Sequence, residues 1–237
     1  MNPDAGARRA TERTRKRYDR IARTYDLMEW AVERRAFGSW RPLLWDLVEG
    51  PRVLEVGVGT GKNLAHYPAD AEVTAIDFSP GMLAHARRRA AELGSNVELR
   101  EMDVQHLDLP DDSFDTVVTT FVFCSVPDPV LGLREIARVL RPGGRLLMLE
   151  HVLSMKPVLR QVMRAADPMV VRMMGANITR RTRNNIEAAG FLIEKETDLW
   201  LDIVKLFQAR HAGSAAGSTA APTAESTSES TSEASLP

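Results

Sequence analysis

Seven residues, Glu55-Val56-Gly57-Val58-Gly59-Thr60-Gly61, carry the densest chemical signal in the chain. Glycines alternating after a β-rich run let the backbone approach a ligand closely, and a following helix offers unpaired N–H groups. Three kinds of nucleotide loop compete for this pattern. A phosphate-cradling loop needs G-x-x-x-x-G-K-[ST], but position 56 is Val and Gly61-Lys62 is followed by Asn63, so spacing and hydroxyl both fail. A dinucleotide loop needs G-x-G-x-x-G; counted from Gly57, the sixth position is Lys62, and the third glycine falls one residue early. What remains is acidic-x-G-x-G-x-G, followed by Asp77, whose carboxylate can accept two strong hydroxyl hydrogen bonds. Asp77 has a plainer reading as a loop aspartate capping a helix at Ser79–Gly81.

These residues need elements to position them, and the chain alternates accordingly. Apolar runs at 51–59, 72–78, 96–103, 113–123 and 145–152 read as strands, with helices at 79–93 and 128–140 between them. Ser79-Pro80 supplies the start of the first of these, and Pro142-Gly143-Gly144 stops the second. After a helix near 179–189, the runs 191–197 and 202–210 lie too close together for a crossover helix and must pair antiparallel. The expected fold is α/β: a Rossmann-like seven-stranded, mostly parallel sheet with an antiparallel closing hairpin and helices on both faces. Residues 7–48 add N-terminal helices, with Tyr18, Ile21, Tyr25 and Met28 at helical spacing. In 156–177, Val158, Val162, Ala166, Met169, Val170 and Met173 line one side, and Pro168 is expected to break the segment into two short helices.

The loop, Asp77 and the Leu140–Gly144 turn together resemble the class I S-adenosylmethionine-dependent methyltransferases. The resemblance implies S-adenosylmethionine as cofactor and no metal. It places Glu55, Gly57, Val58, Gly59, Thr60, Gly61 and Asn63 in the cofactor loop, with Asp77 on the ribose hydroxyls beside Ser79. Phe78, Met82 and Met102 would form the slot for the adenine ring, Asp103 and the Val104 N–H would meet its edge, and the Phe121 carbonyl would meet the cofactor's ammonium. Tyr18-Asp19-Arg20-Ile21-Ala22-Arg23-Thr24-Tyr25-Asp26 is similar to the N-terminal motif of quinone-biosynthesis methyltransferases and bacterial phospholipid N-methyltransferases. Cys124-Ser125-Val126, Glu150-His151-Val152 and Gly175–Arg180 also resemble the animal membrane-associated thiol methyltransferases. These relatives disagree about the methyl acceptor. Tyr18, Tyr25, Ser125 and His151 are the candidate catalytic or acceptor-contacting residues, His151 as a proton acceptor. Each has a bland alternative: packing aromatics, a pocket border, a loop histidine. Cys124 reads as a small buried hydrophobe.

Composition bounds what is left. A chain of 237 residues, 44% apolar and 27% charged, buries one core. The expected domain is 1–210, with 1–48 covering the site, and 211–237, rich in Ser, Thr, Ala and Glu, is expected to be disordered. The single cysteine fits a reducing compartment. No apolar run reaches the roughly 18 residues that span a bilayer, so the expected location is cytoplasmic, peripheral to a membrane. Residues 1–41 carry eleven Lys/Arg against six Asp/Glu, and 156–183 seven against one, on a chain of formal charge -1. That distribution suits an anionic membrane surface, or else two solvated helix faces. The expected partners are therefore a lipid or small-molecule acceptor and that surface, with no obligate protein partner. Nucleic acid is disfavoured, because the Asn/Asp-Pro-Pro-aromatic tetrad of amino-directed nucleic-acid methyltransferases is absent. The preferred acceptor is phosphatidylethanolamine or a related lipid amine, then a small or lipophilic thiol, then a quinol precursor. A nicotinamide-dependent oxidoreductase and a noncatalytic lipid-binding module remain as readings from other classes.

Overall fold

The structure is a computed structural model that describes residue 9 and residues 11–22, 38–174 and 177–211. In chain order the elements are α1 (residues 11–22), α2 (Gly38–Trp45), β1 (Arg52–Val56), β2 (Glu72–Asp77), α3 (Pro80–Leu93), β3 (Glu98–Glu101), β4 (Phe114–Thr120) and α4 (Pro129–Val139). They continue with β5 (Leu140–His151), α5 (Pro157–Met174), α6 (Thr182–Ala188), β6 (Phe191–Trp200) and β7 (Val204–His211). Tyr25, Met28 and the tail beyond His211 lie outside the described residues.

The seven strands form one sheet in the order β3-β2-β1-β4-β5-β7-β6. The first five are mutually parallel, whereas β7 pairs antiparallel with both β5 and β6. The parallel sheet with a closing hairpin is therefore the fold, as the spacing of the last two strands required. Chain order reverses between β1 and β4, where crossovers leave toward opposite edges and open a crevice at the strands' carboxyl ends.

Strand period fixes the layers. Along β4 and β5, Val117, Leu146 and Met148 face a core shared with Leu133 and Ile136 of α4 and Ile186 of α6. Their neighbours Val118, Leu147 and Leu149 face the other way, onto Leu44 and Trp45 of α2. A smaller cluster seats Leu83 and Ala86 of α3 on Ala75 of β2. The helix starts form as their sequence dictates: Ser79 Oγ accepts the Met82 N–H at 3.1 Å, and an Asp128 carboxylate oxygen accepts that of Leu131 at 3.0 Å. Gly94, left-handed at φ 63°, closes α3.

One expectation fails. Pro168 lies inside α5, which runs unbroken from Pro157 to Met174. A proline leaves the carbonyl four residues earlier without its donor. Here Pro168 and Arg164 are both exposed, so water can satisfy that carbonyl and the helix continues. Packing at the centre is different in kind. Leu133, fully buried between α4 and the sheet, has no route to relaxation. Leu133→Ala is expected to lower stability by about 3 kcal/mol in urea unfolding, against less than about 0.5 kcal/mol for the exposed Leu192→Ala.

Candidate active site

The crevice predicted by topology is occupied by a cleft of about 720 Å³, its mouth included, at the ends of β1, β2 and β4. Its lining includes Gly57, Gly59, Asp77, Phe78, Met82, Met102, Asp103, Val104, Phe121, Tyr18 and Ser125, all singled out by sequence. It also includes Val56 and Val126, which stand inside those motifs without an assigned part, and Thr11, Ile76, Thr120, Val122 and Pro127, for which the sequence gives no signal.

Backbone conformation shapes the floor. Gly57 has φ 74°, and a Cβ there would overlap Val122; Gly61 has φ 82°, and a Cβ would overlap Leu64. Gly59, at φ 55°, has nothing within 4 Å of its Cβ position, so this glycine faces open space. Val58, Thr60, Gly61 and Asn63 lie behind the lining, Val58 packing with Leu64 and Leu83. The Asn63 amide donates to Glu55 Oε1 at 2.6 Å and to Thr120 Oγ1 at 3.0 Å, and accepts from Arg41 at 2.7 Å. The Tyr67 hydroxyl donates to the other Glu55 oxygen. Burial pushes the Glu55 carboxyl up to about 7, against the opposing pull of Tyr67, Asn63 and Arg41. Glu55 thus orders the loop from beneath, and Arg41 and Tyr67 join it without any local sequence signal.

Asp77 holds backbone at the start of α3 and at the glycine loop, and also faces the cleft. One oxygen accepts the Ser79 N–H and the other the Gly59 N–H, each at 2.9 Å, while the carboxylate lines the cleft. Burial raises its pKa to about 6. Asp103 is held by Gln105, whose amide reaches both carboxylate oxygens at 3.0 to 3.1 Å.

The wall opposite the glycine loop turns on Phe121, a non-glycine residue at φ 56°. Its N–H donates to Leu149 O at 2.8 Å, and Glu150 Oε1 accepts the next two amides, Val122 at 3.0 Å and Phe123 at 3.1 Å. Glu150 Oε2 is buried without a hydrogen-bond partner among the described residues, and burial pushes the group to about 7. The sequence drew attention to His151 and not to this neighbour. Cys124 donates to the Phe121 carbonyl at 3.3 Å, and burial pushes its thiol up to about 12, so no thiolate forms near neutral pH.

Helix α1 closes the mouth. Tyr18 OH and Ser125 Oγ share a 2.6 Å hydrogen bond across it, and Tyr18 packs edge-on against Phe78 at 5.8 Å. Asp19 accepts from Ser79 Oγ at 2.6 Å and from the Gly81 N–H at 3.0 Å, pinning α1 to the start of α3. His151 does not line the cleft. It stacks on Phe121 at 4.5 Å, and burial lowers its pKa to about 4, leaving a neutral, weakly basic ring at pH 7.

Two measurements check this geometry. Gly57→Ala combines a left-handed backbone with overlap on Val122, and is expected to cost about 2 kcal/mol or more in urea unfolding, whereas Gly143→Ala meets open space and carries only the backbone strain. The His151 pKa is depressed in the fold, so the unfolded chain takes its proton first as pH falls from about 6.5 toward 4, and stability drops across that window. His151→Phe is therefore expected to gain about 2 kcal/mol on the wild type between pH 7.5 and pH 5 in paired urea melts; parallel pH curves would refute the assignment.

A family described as methyltransferase domain matches residues 54–148. Over 155 residues the chain is 41% identical to a phosphatidylethanolamine N-methyltransferase of Cereibacter sphaeroides, covering 62% of this chain and 75% of that protein. Over 174 residues it is 34% identical to a demethylmenaquinone methyltransferase of Clavibacter sepedonicus, covering 71% of each. A solved S-adenosylmethionine-dependent methyltransferase of Thermotoga maritima shares the fold, with a TM-score of 0.65 at 21% identity over 83% of this chain and 99% of that one. With the glycine loop, the buried Asp77 and the strand order already in place, the chain belongs to the S-adenosylmethionine-dependent methyltransferases.

Proposed function

We propose that this methyltransferase N-methylates phosphatidylethanolamine or a related lipid amine. The observation that carries the reading is its 41% identity to a phosphatidylethanolamine N-methyltransferase over 155 residues, 75% of that protein's length. The acceptor is a lipid or a small molecule, and the hydroxyl pair at the cleft mouth suits an amine headgroup.

The cleft lining fits S-adenosylmethionine. Asp77 has acceptor capacity left for the ribose hydroxyls, and Gly59 presents open space above the loop. Phe78, Met82 and Met102 offer an apolar slot for the adenine, and Asp103 stands at its rim, with Val104 next in the chain. The carbonyl of Phe121 is the acceptor for the ammonium. Behind them Glu55, Val58, Thr60, Gly61, Asn63 and Ser79 hold loop and helix in register. When bound, the cofactor supplies an electrophilic methyl group on a sulfonium. The protein's share is then alignment and exclusion of water, which in a dry site supply most of the acceleration of an in-line displacement.

An amine attacks only when neutral. Tyr18 and Ser125 present hydroxyl oxygens that accept the N–H bonds of a neutral amine and aim its lone pair inward. His151 is too weakly basic to take the proton at neutral pH. Its assigned part is to back Phe121, and the amine proton leaves before binding. Quinol C-methylation is the second reading, favoured by the 34% identity to a demethylmenaquinone methyltransferase. S-methylation of small or lipophilic thiols is the third.

Turnover with isotope-labelled S-adenosylmethionine separates them when vesicles containing phosphatidylethanolamine, a demethylated quinol and a thiol panel are offered singly. The expected product is mono-, di- or trimethylated phosphatidylethanolamine. Label in a methylated quinone or a thioether, with none in lipid, would replace the reading. Tyr18→Phe removes the hydroxyl bonded to Ser125 and is expected to lower kcat/KM for the lipid about tenfold with cofactor affinity retained.

A further inference from the structure

Gln105 is buried just behind the cleft wall, and it does not itself line the cleft. Its backbone N–H donates to Asp103 Oδ1 at 3.0 Å. Its side-chain Nε2 stands 3.1 Å from the same oxygen and 3.0 Å from Oδ2, and also 3.0 Å from Thr11 Oγ1 of α1. On its other side, Gln105 Oε1 accepts the N–H of Asp128, the cap of α4, at 3.0 Å. Asp103 and Thr11 line the cleft, and Asp128 follows the lining residue Pro127.

These partners leave the amide one orientation. Its nitrogen carries two hydrogens: one points between the Asp103 oxygens and the other at Thr11. Turning the amide over would set its oxygen against a carboxylate and an N–H against the Asp128 N–H, two unmade bonds in a buried place. The amide in turn fixes the plane of the Asp103 carboxylate. A carboxylate offers about four lone-pair directions. Among the described residues Oδ1 receives two N–H donors and Oδ2 one, so the open direction lies on Oδ2. The backbone nearby is fastened separately. The Met102 N–H donates to Asp77 O at 3.1 Å, and the Leu107 N–H to a Glu135 oxygen of α4 at 2.9 Å. What the Gln105 side chain adds is the direction in which Asp103 faces.

We propose that Gln105 is a positioning residue for the cofactor: it clamps Asp103 with Oδ2 left to accept the exocyclic amine of adenine, and so sets the preference for a 6-amino over a 6-oxo purine. This rests on the reading that Asp103 meets the adenine edge. Adenine presents N–H donors at that position, whereas hypoxanthine presents an oxygen, one acceptor facing another. A carboxylate free to swing turns away from that oxygen and softens the penalty. A clamped one does not, and it also meets the amine without first losing torsional freedom. Selectivity between the two bases, rather than affinity alone, therefore reports the clamp.

The test titrates the full chain by calorimetry with S-adenosyl-L-homocysteine and with S-inosyl-L-homocysteine, its 6-oxo counterpart, so no methyl acceptor enters. Wild type is expected to prefer the amino form by about a hundredfold. Gln105→Met keeps the side chain's length, removes its donors and leaves the backbone bond to Oδ1. It is expected to weaken the amino form about tenfold and to hold the 6-oxo form within about twofold. A side chain that merely supports the turn would weaken both ligands alike; an unchanged ratio therefore overturns the proposal. Where circular dichroism shows the methionine variant unfolded, Gln105→Glu keeps an acceptor for the Asp128 N–H but sets a like charge against Asp103. At pH 8 it is expected to lose the same tenfold in ratio, and a wild-type ratio overturns the proposal equally. Asp103→Asn separates the clamp from the reading beneath it. Its amide N–H suits a 6-oxo group, so the ratio is expected to fall toward one. If Asp103→Asn leaves the ratio unmoved, Asp103 does not meet the adenine edge and the clamp falls with that reading. If Asp103→Asn loses the ratio while the Gln105 variants keep it, the clamp alone is overturned.

Discussion

Three carboxylates shut away from water, Glu55, Asp77 and Glu150, hold the backbone around the cleft. Central strands of a parallel sheet stop at one level, and the chain must turn sharply where it leaves each of them. Those turns expose amides that the sheet no longer pairs. Asp77 takes up the Gly59 and Ser79 amides, Glu150 takes up those of Val122 and Phe123, and Glu55 anchors Asn63 and Tyr67 beneath the glycine loop. Because each is fixed by several donors, the cleft walls are set before any ligand arrives.

This arrangement costs stability. Burial raises all three groups, Asp77 to about 6 and both glutamates to about 7. A carboxyl whose folded pKa lies above its unfolded value favours folding at low pH, and that contribution fades as pH climbs through about 4 to 7. His151 works in the opposite direction, disfavouring the fold as pH falls from about 6.5 toward 4. A cation entering the cleft favours the ionised carboxylates and offsets part of the burial cost. The site is therefore a region where stability is given up for a pocket that suits a positively charged ligand.

What the sequence disclosed and what it hid divide along contact distance in the chain. The glycine loop, Asp77, the Ser79 cap and the closing hairpin are local patterns, and each stands where spacing put it. Tyr18 with Ser125, Asp19 with Ser79, and Glu150 with Val122 are separated by 107, 60 and 28 positions. No periodicity links such pairs; they meet only because the strand order brings their loops to one end of the sheet. The sequence marks Tyr18 and Ser125 singly and carries no sign of the bond between them. Arg41 and Tyr67 are common residues in unremarkable surroundings, and only burial beside Glu55 gives them a part. Pro168 misled for a different reason: a local rule held, but its cost vanished where the freed carbonyl faced water.

The two sides of the cleft are held by interactions of different strength. The strand ends belong to cores in which Leu54, Val117, Leu133 and Leu146 are fully buried. Helix α1, by contrast, buries only Ala22 among its residues. The described residues of α1 therefore rely on their contacts with the rest of the fold. Besides the packing of Tyr18 on Phe78 and of Ala22, they include polar bonds: Arg15 to Glu101 at 3.3 Å, Asp19 to the start of α3, Tyr18 to Ser125, and Arg17 to α5. Each such bond contributes about 1 kcal/mol or less after exchange with water. Among the described residues, the wall carrying Tyr18 is held through more polar bonds and fewer buried side chains than the floor beneath it, which is fixed by buried carboxylates and core. An acceptor entering beside Ser125 competes with the Tyr18 hydroxyl for one hydrogen bond and leaves the sheet undisturbed.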